Sequence, residues 1–102
     1  MSTEAGSRVY SIVTEPELRY LVIEATPGGW ILRTFDIAGA EIGDRLHAVV
    51  HSSRTDAQFE AAGTYGKRLG NWWVVPSYVD DAAYFARCHK DAPPGQRQRL
   101  LD

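Results

Sequence analysis

Leu18-Arg19-Tyr20-Leu21-Val22-Ile23-Glu24-Ala25, then Thr26-Pro27-Gly28-Gly29, then Trp30-Ile31-Leu32-Arg33-Thr34-Phe35-Asp36 is the stretch that decides the fold. Two runs rich in β-branched and aromatic residues flank a turn in which Pro presets φ and Gly accepts the positive φ that follows. The runs are expected to pair antiparallel as a hairpin, with a register fixed by alternation. Within the first run, Leu18, Tyr20 and Val22 point to one face and Leu21, Ile23 and Ala25 to the other. Both faces are apolar, so both must be covered.

Upstream, Val9 to Val13 reads as another strand, stopped by Thr14-Glu15-Pro16-Glu17. Downstream, Ile37-Ala38-Gly39-Ala40 makes a second turn, and Glu41 to about Val50 reads as a strand, with a short helix over Asp44 to His51 as the alternative. Ser53 with Asp56 offers an N-cap, and Phe59, Ala62, Gly66 and Leu69 recur at helical spacing, so a helix is expected from about Arg54 to Leu69. Gly63 and Gly66 either end that helix early or lie close against the sheet. Asn71 to Val75 reads as a last strand stopped by Pro76. Ser77 with Asp80 caps a final helix through Lys90, along which Tyr78, Ala82, Phe85 and His89 form one stripe.

The order is thus β-β-β-β-α-β-α. The expectation is a small α+β domain over residues 8–90, an antiparallel sheet of four to five strands with two helices packed on one face, and flexible termini at 1–7 and 91–102. The second sheet face would then be left to the tails, to a second copy of the chain or to a ligand.

Composition narrows the function classes. With 102 residues, 44% of them hydrophobic and 24% charged, the chain has the make-up of one globular domain and not of a disordered tail. A formal net charge of -2 gives no global attraction for phosphate backbones or anionic membranes. Cys88 is the single cysteine, so an intramolecular disulfide or a multi-thiolate zinc site cannot form, and a cytoplasmic, reducing setting is expected. The first residues carry Glu4 where a secretory leader needs a basic region, and no apolar run is long enough to span a bilayer.

No local motif selects a chemistry. His47 and His51, four apart, would share a metal on a helix, with Asp44, Cys88 or His89 as further ligands, but on a strand the two rings would stand ~13 Å apart. No bound metal or cofactor is therefore expected. Neighbouring Cys88 and His89 point about 100° apart on a helix and cannot form an activated pair. Asp80 and Asp81 fall in a first helical turn, where capping accounts for them. An enzyme would have to assemble its site from scattered residues such as Arg33, His47, His51, Tyr65 and Asp80.

Three strands followed by a helix is similar, in strand order only, to small sheet-reading DNA-binding domains of some recombinases. Arg19, Arg33 and Arg45 would carry such a role, yet the sheet region holds no Lys and no basic stripe, so nucleic acid is not the expected partner. The aromatic residues point elsewhere. Trp72 and Trp73 face opposite sides of one strand and cannot serve one core. The leading expectation is therefore a small non-catalytic interaction module, forming a homodimer or binding another protein through an aromatic sheet face that presents either Trp72 or Trp73, with Trp30 and Arg33 as the further candidate binding residues. A small enzyme or metal protein centred on His47 and His51 is the alternative, and a sheet-based nucleic-acid binder the second.

Overall fold

The computed structural model describes residues 8–15, 17–42, 49–91, 95 and 97–100. Three long strands form its centre: β1 (Arg8–Val13), β2 (Arg19–Thr26) and β3 (Gly29–Phe35). β2 and β3 pair antiparallel from Tyr20 opposite Phe35 to Thr26 opposite Gly29, around the expected Pro27-Gly28 turn. Gly29 has φ 145°, and a Cβ there would lie 2.3 Å from the His51 carbonyl oxygen. Its bareness lets the next chain segment close in: Trp30 and His51 exchange both backbone hydrogen bonds, at 2.8 and 2.7 Å.

Of the expected strand from Glu41 to about Val50, the described residues include β4 (Glu41–Ile42) and the exposed Val49 and Val50, which lead to a bridge between His51 and Trp30. Residues 43–48, which include Asp44, Arg45 and His47, lie outside the described residues. β5 (Trp73–Val74) then pairs with β1, and β6 (Gln98–Arg99) pairs with β5. Among the described residues the antiparallel sheet therefore has six strands in the order β4-β3-β2-β1-β5-β6, more than expected. The extra strand comes from the segment expected to fray: the Leu100 N–H donates to the Trp72 carbonyl at 2.8 Å, so unpaired backbone groups on β5 draw the polar tail into the sheet.

The helices correct the reading more sharply. α1 (Arg54–Tyr65) is capped by Ser53, whose hydroxyl accepts from the Asp56 N–H, and it stops at Gly66, whose φ is 58°. A 3-10 turn, Gly66–Arg68, follows it. The buried residues of α1 are Ala57 and Ala61, whereas Phe59 is 68% exposed and Gly63 faces open space. α2 (Ala82–Arg87) is capped by Asp81, not by Ser77 with Asp80; it buries Ala82, Ala83 and Ala86 and runs into a 3-10 turn, His89–Asp91.

The two helices do not share a face. Ala57 and Ala61 of α1 pack with Val9, Val13, Leu21 and Ile23, while the alanines of α2 pack with Tyr10, Tyr20, Val22 and Phe35. These strand residues alternate along β1 and β2, so α1 and α2 lie on opposite sides of the sheet. The cause is the two-sided β2: each apolar face takes one helix, and short alanine side chains let each helix approach closely.

Candidate functional site

On the α2 side the helix lies over β1 and β2 and meets β3 at Phe35, leaving Arg33 and β4 beside it. The strip left there is charged. Arg33 sends Nε and Nη2 to the two carboxylate oxygens of Glu41 at 3.1 and 2.9 Å, and Nη1 to Glu24 at 2.9 Å. Register makes this possible, because Glu24 faces Ile31 and Glu41 faces Phe35, one pair to either side of Arg33. The fork-shaped pair with Glu41 is the main reason the Arg33 pKa rises still further above that of a free guanidinium. Its carbon end also lies over the Phe35 ring, 4.9 Å from the centroid.

Two connections close a cleft over this strip. In the β3–β4 turn the Asp36 carboxylate accepts from the N–H groups of Ala38 and Ala40, both at 2.9 Å, which fixes Gly39 at φ 93°. On the other side Arg8 bonds the Pro76 and Val79 carbonyls, tying down the chain just before Asp80. The Asp81 carboxylate then accepts from the Tyr84 N–H at 3.0 Å. The result is a cleft of about 450 Å3 whose walls include Glu24, Arg33, Asp80, Asp81, Tyr84 and Arg87. Gly39 permits it: a Cβ there would stand 2.6 Å from Arg87 Nη1. The Arg87 guanidinium lies 5.5 Å from the Tyr84 ring centroid, and Tyr84 is 57% exposed at the mouth. A hydrogen bond to the Cys88 thiol is the largest cause of a raised Tyr84 pKa.

No known protein family, curated protein or solved structure matches this chain. The site therefore has to be read from its own geometry.

Of the four binding residues expected from sequence, only Arg33 lines this cleft. Trp30 and Trp72 pack on the α1 side, against Val9, Ile23 and Ala57, while Trp73 packs on the α2 side at the other end of the sheet. Trp72 and Trp73 thus lie on opposite sides of the sheet, as the sequence predicts, and each helps cover a core of its own. The Nε2 atom of His51 bonds Glu60 at 2.7 Å. Among the described residues no three His, Cys, Asp or Glu side chains gather as a metal site, and His47 lies outside them. The arginines of the nucleic-acid reading are engaged within the chain: Arg33 by two glutamates, Arg19 by Glu17. Arg45 lies outside the described residues.

His89 has a partner that sequence reasoning missed. Its Nδ1 lies 2.7 Å from the Tyr10 hydroxyl, and its ring sits 4.6 Å from that of Trp73, centroid to centroid. Burial pushes the Tyr10 pKa up to about 12, partly opposed by the Arg97 charge. Burial first, and Arg97 second, push that of His89 down. Both shifts favour a neutral pair in which the phenol donates and Nδ1 accepts, leaving the ring proton on Nε2.

Proposed function

We propose that this chain is a small non-catalytic binding module whose partner is another protein, engaged at the cleft between the β3–β4 turn and the start of α2 through a basic side chain. The charge balance of the cleft carries the reading. Arg33 is already paired with Glu24 and Glu41, and among the described lining residues Asp80 and Asp81 then have Arg87 as the other cation of the cleft. An inserted guanidinium or ammonium would offset part of this surplus negative charge, and complementary charge at an exposed site steers a partner and sets its register more than it adds affinity. Exposed Tyr84 at the mouth, and exposed Ile37 in the turn that carries Gly39, supply the aromatic and apolar contacts that protein interfaces favour.

This keeps the interaction-module expectation and moves its surface. Self-association through a bare aromatic sheet face loses its premise, because α1 and α2 cover one face each.

The test is an amide-resolved NMR titration of the 15N-labelled chain with N-acetyl-arginine amide and, separately, N-acetyl-glutamate amide. The arginine probe is expected to shift the amides of Gly39, Asp81 and Tyr84 saturably, and Asp80→Asn is expected to weaken that binding without lowering stability, since Asp80 is exposed and is not the α2 cap. Equal responses to both probes, or shifts centred elsewhere, would refute the reading.

A further inference from the structure

A second, smaller cavity of about 140 Å3 opens beside the end of α2, walled by the apolar side chains Ile12, Leu18, Tyr20 and Ala86. Its remaining walls include His89 and Lys90, and no carboxylate among the described residues. The nearby Glu17 is held by Arg19. Arg87 lends only its stem, because its guanidinium lies against Gly39 and over Tyr84 on the other side of α2. An apolar cavity of about 150 Å3 admits one benzene ring, so this one has room for a single ring and little more.

We propose that this cavity binds a small aromatic carboxylate, with its ring against Ile12, Leu18 and Tyr20 and its carboxylate on the Lys90 ammonium and the Nε2–H of His89. The Tyr10 to His89 bond prepares the second contact. By occupying Nδ1 at 2.7 Å it leaves the ring proton on Nε2, so the imidazole offers a neutral donor without having to gain a proton. Edge packing of Trp73 and Tyr10 against the ring holds that donor in place. The site is separate from the acid-lined cleft, whose charge selects the opposite kind of ligand.

Benzoate, benzamide and benzylamine, titrated into the 15N-labelled full chain and followed by amide and imidazole NMR, test this. Benzoate is expected to saturate with a dissociation constant of about 1 mM, the scale set by so few ligand atoms, and to shift the His89 Nε2 resonance with the amides of Ile12 and Lys90. Lys90→Gln should weaken benzoate roughly fivefold and leave benzamide unchanged, while Lys90→Arg should restore it. Lys90 is exposed, so both variants keep the fold. Benzamide binding as tightly as benzoate, no saturation by about 20 mM, or shifts centred on the Arg33 cleft would overturn the proposal.

Discussion

A phenol with no exposed surface needs an acceptor for its hydrogen bond, and the neutral Tyr10 hydroxyl has His89 Nδ1 within reach. Tyr10→Phe removes the donor and leaves the imidazole nitrogen unpaired against Trp73; a loss of about 1–2 kcal/mol is expected in urea denaturation at pH 7.5. The same pair sets limits in pH. The folded His89 pKa lies below its ordinary 6.5, so the unfolded chain binds more protons as the solution is acidified through that value, and stability falls with it. Replacing His89 by Gln should flatten the part of the decline below about pH 6.5 that this residue causes. At the alkaline end the sign reverses. The folded Tyr10 pKa is raised to about 12 from 10.0, so its contribution is whole below pH 10 and is lost as the pH climbs through 12. Denaturation curves of wild type and Tyr10→Phe above pH 10 should converge.

Among the elements, the turns are the most sensitive points. Ser53→Ala takes away the acceptor for the Asp56 N–H and should cost about 1 kcal/mol in α1. Gly29→Ala should cost more, since the new methyl would collide with the His51 carbonyl oxygen and unpin the segment that leads into α1. The β2–β3 hairpin was legible because long β-branched runs and a Pro-Gly turn say the same thing. β6 was not, because Gln98 and Arg99 join the sheet through backbone bonds alone, and no side-chain pattern announces that. The face of α1 was misread because Phe59 outweighs Ala57 in any hydrophobic pattern, although closeness to the sheet favours the smaller residue. The cleft was half legible: Arg33 stood out, and once the register is known Glu24 and Glu41 follow as its diagonal neighbours, but the approach of Tyr84 and Arg87 depends on a helix side that local sequence does not specify.

For the molecule as a whole, β2 is shared property. Tyr20 and Val22 belong to the core under α2, and Leu21 and Ile23 to that under α1, so neither core can be lost while the other keeps its wall. Ala57→Asp and Ala86→Asp, on opposite sides, should each unfold the entire domain or destabilise it by several kcal/mol, through an unpaired buried carboxylate. Far- and near-ultraviolet circular dichroism should follow one and the same transition in wild type, whereas separate midpoints would show the two layers to be independent.

Trp72 and Trp73, neighbours in the chain and on opposite sides of the sheet, carry a practical consequence. They make the domain its own pair of optical gauges. A chain keeping only Trp72, with Phe at positions 30 and 73, emits from the α1 layer; one keeping only Trp73 emits from the α2 layer, beside an imidazole whose charge state colours its intensity. Ligand arrival at either side, or the departure of either helix, is thereby written into the wavelength and brightness of a single indole without any added dye.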